Sequence, residues 1–212
     1  MDPKKLLVLG ATGGTGRQIV SQALDAGHIV TAFVRDPDKM PIRHERLRLA
    51  AGDVPGGGPP LGDAVRGRDA VISALGRGSS FKSDNLIQRS VPSIINAMVA
   101  NHVRRLIVIS SYGLGDTSGD APVLSRIFST LLLRDIFADK LAGEALLKRS
   151  NLEWTIVHPT LLTNGPVTHQ YRHGAHLDLR GMPKISRADT ADFVLAQLDD
   201  RSFVRKTVLV SY

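Results

Sequence analysis

Short runs rich in Val, Ile and Leu alternate along the chain with longer segments whose apolar residues recur every three or four positions. The runs at 5–10, 28–35, 47–54, 69–75, 104–111, 154–159 and 206–212 read as seven strands. The segments at 15–27, 83–102, 121–150 and 186–200 carry helical spacing, the third as one helix or two pieces. Gly27 closes the first helix, Pro92 predicts a kink in the second, and Ser186 caps the last. Strands alternating with helices predict repeated βα units, and therefore a mostly parallel sheet with helices on both faces. The stretch GDVPGGGPPLGD at 52–63 reads as a surface loop too short to divide the chain, so one domain over residues 1–212 is expected.

Composition narrows the picture. The chain has no cysteine, which excludes disulfides and thiolate chemistry. No apolar run reaches the roughly 18 residues of a membrane span; the Leu-Leu-Leu at 131–133 is flanked closely by Arg126, Arg134, Asp135 and Lys140. MDPKK leads straight into the first strand with no room for a signal peptide, and a soluble cytoplasmic protein is expected. The net charge is +7 and the pI about 10.0. Its basic residues are scattered, and aromatics make up only 5% of the chain, so no stacking platform for nucleic acid is visible. Attraction of a phosphorylated small molecule explains the charge equally well.

Behind the first strand stands LVLGATGGTGRQIV, with Gly10, Gly13 and Gly16 three apart. Glycine supplies 20 of the 212 residues, so the triplet alone is weak. Its place between a strand and a helix, within one βαβ unit, is the context that a dinucleotide-binding turn requires. Gly10 allows the sharp turn, Gly13 lets backbone approach a pyrophosphate, and Gly16 lets helix pack on strand. Amides near Gly14, Thr15 and Gly16 would face the anion, with Thr12 and Thr15 adding hydroxyls. No Gly-Lys-Ser/Thr follows, which disfavours a nucleoside triphosphatase. The residues after the second strand choose the cofactor: a carboxylate there suits the ribose of NAD, an arginine the extra phosphate of NADP. The chain reads FVRDP, so Arg35, with Arg17 and Lys39 nearby, favours NADP over NAD.

GATGGTG, VRDP, GDV, DAVISALG, VISSYG, the lysine-bearing ADKLAGEALLKRSNLEWTIVHP and ISRADTA together resemble the atypical short-chain dehydrogenase/reductases. The likeness spans nearly the whole chain and is strongest to the NAD(P)H-binding branch containing biliverdin-IXβ reductase/flavin reductase. It implies a doubly wound Rossmann fold with seven strands in the order 3-2-1-4-5-6-7. It also implies that Gly10, Thr12, Gly13, Gly14, Thr15 and Gly16 line the phosphates, that Arg35 meets the 2'-phosphate, and that Asp53 and Val54 border the adenine. Ala74, Leu75 and Gly76 would run under the ribose towards the nicotinamide. Ser110, Ser111 and Tyr112 would sit beside the nicotinamide ribose, and His158, Pro159, Thr160 and Leu161 would flank the ring.

The departures bear on chemistry. Typical members use Tyr-x-x-x-Lys, in which the lysine lowers the phenol's pKa for proton exchange. If Lys140 is that lysine, the tyrosine position is Ile136. The branch's histidine two residues past the sixth-strand proline is Leu161, while His158 precedes the proline. Candidate catalytic groups are therefore Ser111, Tyr112, Lys140 and His158; Tyr112 either supplies a phenol from another direction or packs. The pattern suits hydride transfer that needs little protein proton donation, to a flavin, quinone or tetrapyrrole-like acceptor. The alternatives are a non-catalytic NADP-binding redox-sensing regulator and an epimerase-like enzyme. His169, His173 and His176 have metal-like helical spacing, but Gly174 argues for a mobile segment or hairpin over the substrate pocket instead, and no metal is expected. No nucleophile elbow is present, GRGSS at 76–80 being the nearest imitation. Monomer and homodimer both stay open.

Overall fold

A computed structural model describes residues 2–76, 84–114 and 134–212. Its strands in chain order are β1 (Lys5–Leu9), β2 (Ile29–Val34), β3 (Leu47–Ala51), β4 (Ala70–Ser73), β5 (Arg105–Ile109), β6 (Glu153–Pro159), β7 (Leu161–Thr163), β8 (Arg172–Gly174), β9 (Lys184–Ser186) and β10 (Lys206–Ser211). Its α-helices are α1 (Gly14–Asp25), α2 (Gly58–Val65), α3 (Leu86–Ala100), α4 (Arg134–Lys148) and α5 (Arg187–Ala196). The main sheet runs β3-β2-β1-β4-β5-β6-β10-β8. Every pairing in it is parallel except β10 with β8. This is a doubly wound Rossmann fold.

Alternation along the buried strands sorts the core into two layers. Leu6 and Val8 face Ile19, Ala23, Ala191 and Val194 of α1 and α5, whereas Leu7 and Leu9 face Leu61, Val91, Ile94 and Leu147 of α2, α3 and α4. Parallel strands covered on both faces are apolar at successive positions, which is why they stand out in the sequence.

Three expectations need correction. The seven predicted strands are all present in the predicted order, but the sheet has an eighth, β8, and β7 pairs with β9 in a separate two-stranded sheet. These extra strands have three residues each, too few to leave a periodic signal. Second, residues 52–63 are not a plain loop. Val54–Gly56 forms a 3-10 turn, and α2 follows with Pro59 and Pro60 in its first turn, where backbone N–H groups have no partner in any case; Leu61, Ala64 and Val65 are buried beneath it. Third, the histidine-bearing segment lies against α5 and β10 and not over the crevice beside the glycine turn. Thr168 and His169 donate their backbone N–H groups to Asp189 at 2.7 and 3.0 Å, and Tyr171 donates to Asp192 at 2.6 Å. His173 packs on Phe193 and Phe203 beside β10. Among the described residues no three metal-ligating side chains converge.

Helix α3 runs through Pro92. The predicted helix at 121–150 is seen as α4, and its part before 134 lies outside the described residues, as do residues 77–80 of GRGSS and Arg126. Among the described residues no helix is long and apolar enough to cross a membrane.

Candidate functional site

The sheet order reverses at β1, which has β2 on one side and β4 on the other, and such a switch point opens a crevice at the carboxyl ends of the strands. Gly10 turns the chain there with φ +75°, and a Cβ on it would stand 2.5 Å from the Ala74 carbonyl oxygen. A Cβ on Gly16 would be driven into the Gly10 carbonyl oxygen and lie 2.9 Å from Ala11 Cα. The Gly13 N–H donates to the Gly10 carbonyl at 3.1 Å and closes the turn. As N-cap of α1, Gly13 offers no side chain, and the first turn carries no acidic residue. Neither the N-cap nor the first turn of α1 thus supplies an acidic or capping side chain of its own, an arrangement that suits an anion at this helix N-terminus.

From this turn a cleft of about 180 Å³ extends to the end of β2, lined by Gly10, Thr12, Gly13, Arg35, Asp53, Val54, Ala74, Leu75 and Gly76 together with Phe33, Val34, Gly52, Pro55 and Leu86. Arg35 is exposed. Asp36, the carboxylate that could have met a ribose, accepts from Asp38 N–H at 3.1 Å and pairs with Lys39 at 3.2 Å, so both are engaged in their own 3-10 turn.

A second cleft of about 260 Å³ adjoins the first through Gly13, Ala74, Leu75 and Gly76 and reaches Gly14, Thr15, Ile109, Ser110, Ser111, Ile136, Lys140, Leu162 and Arg187. Either cleft alone falls below the roughly 300 Å³ at which ligand pockets begin, whereas the joined pair falls within the usual range. Lys140 Nζ donates to Ser111 Oγ at 2.6 Å and to the Ser110 carbonyl at 3.3 Å. Burial pushes the Lys140 ammonium down to about 8, against the opposing charges of Glu144 and Asp139. Since Ser111 Oγ accepts from Lys140, its own O–H is left to donate.

Behind the cleft wall Ser110 Oγ donates to Glu144 Oε1 at 2.5 Å, and His158 Nε2 stands 2.9 Å from the same oxygen. Both partners of the histidine–carboxylate pair are buried. Burial pushes the Glu144 carboxyl up, but the bond and charge of His158 and the bond from Ser110 more than reverse this and hold it below the ordinary carboxylate value. The ionised carboxylate only accepts, so Nε2 of His158 carries the proton.

The clefts therefore bring together most of the expected residues and leave some outside. Gly16 acts by packing. His158 is wholly buried against Glu144, Thr160 is buried and donates to Ser211 Oγ at 3.1 Å, and Tyr112, Pro159 and Leu161 line neither cleft. Leu161 is exposed, its neighbour Leu162 facing the cleft in its stead. Period-two alternation accounts for His158: Trp154, Ile156 and His158 share the face that looks at α4. Sequence reading passed over Glu144, though its i,i+4 spacing from Lys140 was a usable signal. It also passed over Arg187 and Phe33, for which no local pattern exists.

A family model described as NAD(P)H-binding matches residues 10–201. An uncharacterized chloroplastic protein of Arabidopsis thaliana is 32% identical over 181 residues, 78% of this chain and 61% of that protein; this chain thus spans less than two thirds of that relative. A short-chain dehydrogenase/reductase of Veillonella parvula, solved in complex with NADP, superposes with TM-score 0.79 at 24% identity, covering 99% of this chain and 94% of that one. An anaerobillin reductase of Escherichia coli O157:H7 superposes with TM-score 0.79 at 20% identity, covering 97% and 96%. At such identities the two structures establish the shared fold.

Proposed function

The chain belongs to the NAD(P)H-binding family, and from that premise we propose that residues 1–212 act as one domain, an NADPH-dependent reductase of a small conjugated acceptor such as a flavin, quinone or tetrapyrrole. The observation that carries this reading is the Ser111 hydroxyl held by Lys140 at 2.6 Å in a cleft that opens directly onto the glycine turn. NADPH, when bound, supplies a hydride. Gly10, Gly13 and Gly14 with the α1 amides hold its phosphates, and Arg35 selects the 2'-phosphate, a choice supported by Asp36 being occupied elsewhere. Asp53 and Val54 border the adenine, and Ala74, Leu75 and Gly76 form the floor between the two clefts.

Ile109, Ile136 and Leu162 offer the acceptor an apolar wall. With Ile136 at the tyrosine position, Ser111 is the hydroxyl donor to the acceptor atom on which negative charge develops. Lys140 is a positioning residue: it fixes the Ser111 oxygen and restores its proton from the ammonium. Ser110, Glu144 and His158 hold the strand end from behind. The NADP complex of the Veillonella protein and the activity of the Escherichia coli one support the cofactor and the acceptor class.

The test is consumption of NADPH, followed by its near-ultraviolet absorbance, with a panel of flavins, quinones and linear tetrapyrroles. Turnover on at least one is expected. Binding of both cofactor forms without turnover on any acceptor overturns the reading in favour of a redox-sensing regulator.

A further inference from the structure

We propose that Arg187 is a ligand of the cofactor's pyrophosphate, and that residue 14 is glycine so that the arginine can lie across it. This rests on the reading of the joined clefts as an NADPH site. Three glycines of the turn have distinct physical requirements. Gly10 has positive φ, and Gly16 faces backbone of Gly10 and Ala11. Gly14 has neither constraint; the atoms a Cβ would meet are Cδ and Nε of Arg187, each at 2.8 Å, with Cζ at 3.8 Å. The arginine stem thus crosses the first residue of α1, over amides for which the N-cap residue Gly13 has no side chain to offer.

Its placement is prepared by the fold. Arg187 is the first residue of α5, whose N-cap Ser186 accepts from the Asp189 N–H at 2.9 Å. The far end is steered by Nη1, which donates to Asn164 Oδ1 at 2.8 Å and the Leu162 carbonyl at 3.4 Å. Among the described residues no carboxylate pairs with Arg187, and no Asp or Glu lines the second cleft. A guanidinium has five N–H donors in a planar fork, so Nη2 and Nε are left to face a phosphate bidentately. The chemistry recognised is a phosphate bearing full negative charge on the helix N-terminus, bracketed by helix amides on one side and by the arginine on the other.

The test is calorimetric titration of NADPH into the wild-type protein, Arg187→Ala, Gly14→Ala, the double variant and Arg187→Lys. Adenosine 2'-monophosphate, which lacks the pyrophosphate, is titrated by competition. Arg187→Ala is expected to weaken NADPH about tenfold or more, leave adenosine 2'-monophosphate within about twofold, and keep the wild-type melting temperature. Gly14→Ala displaces the arginine and loses comparable affinity alone, yet costs little further in the Arg187→Ala background; Arg187→Lys falls between. Unchanged NADPH affinity in Arg187→Ala overturns the proposal, as does an equal cost of Gly14→Ala in both backgrounds. A rise confined to the acceptor's KM overturns it too, because it assigns the arginine to the substrate. Failure of the wild-type protein to bind NADPH overturns the parent reading and this one with it.

Discussion

Arg35 stands exposed where β2 ends, and the carboxylate beside it is already spent on the N–H of Asp38 and the ammonium of Lys39. Charge-assisted bonds to a phosphate are worth about 1.5–3 kcal/mol, so Arg35→Ala should weaken NADPH about tenfold or more while leaving NADH almost unchanged. Equal losses on both cofactors in a binding titration contradict the 2'-phosphate assignment. Lys140 makes a separate prediction from its pKa of about 8. The charged form donates to Ser111, so reductase turnover should fall as pH rises through about 8, and in Lys140→Gln that alkaline limb should vanish along with most of the rate. An unaltered limb in the variant places the titration elsewhere. The glycine turn and the place of Arg35 at the end of β2 were legible in the sequence because each depends on residue type and spacing within one βαβ unit. The reach of Lys140 to Ser111 was not, since it joins residues 29 positions apart.

Helix α4 shows how one element serves several tasks at once. Asp139 accepts from the backbone N–H groups of Ile87 and Gln88 at 3.0 and 2.8 Å and so caps α3 in place of its N-cap residue Asn85, whose side chain makes no capping bond. Gly143 lets the two helices approach, a Cβ there standing 2.5 Å from Ile87 Cγ2. Lys140 and Glu144 project to the ends of β5 and β6. Asp139→Ala should therefore cost about 1–2 kcal/mol, read as a lower urea midpoint with the slope unchanged, and most of the loss should return in Asp139→Asn. Helical spacing shows that α4 exists; the side of it that meets α3 is a matter of how both helices pack on the sheet. The same distinction explains residues 52–63, where Gly and Pro suggest a loop but the burial of Leu61, Ala64 and Val65 makes the helix α2.

Across the whole molecule, Asp189 fastens the last part of the chain. Its carboxylate accepts from Thr168 N–H and Oγ1, His169 N–H, Ser186 Oγ and Tyr212 Oη, drawing together α5, the start of the β8 segment and the C-terminal end of the main sheet. Burial pushes this carboxyl up, but the bonds from Tyr212, Thr168 and His169 more than reverse it, so its folded pKa lies below 3.8. A depressed carboxylate contributes stability that is fully present above its unfolded value and is lost as pH falls through the folded one. Urea midpoints should thus drop steeply below about pH 4, and Asp189→Ala should lower stability at neutral pH by on the order of 3 kcal/mol while flattening that acid limb. An acid limb as steep as the wild type's in Asp189→Ala refutes the assignment. The alternation of strand and helix and the glycine turn between β1 and α1 follow from local pattern, because period and glycine geometry act within a few tens of residues, whereas the order of the seven parallel strands is what the family resemblance implies. The eighth strand, the burial of His158 against Glu144, the Lys140–Ser111 contact and the passage of Arg187 over Gly14 depend on residues brought together across the sheet, and local pattern holds no record of such distances.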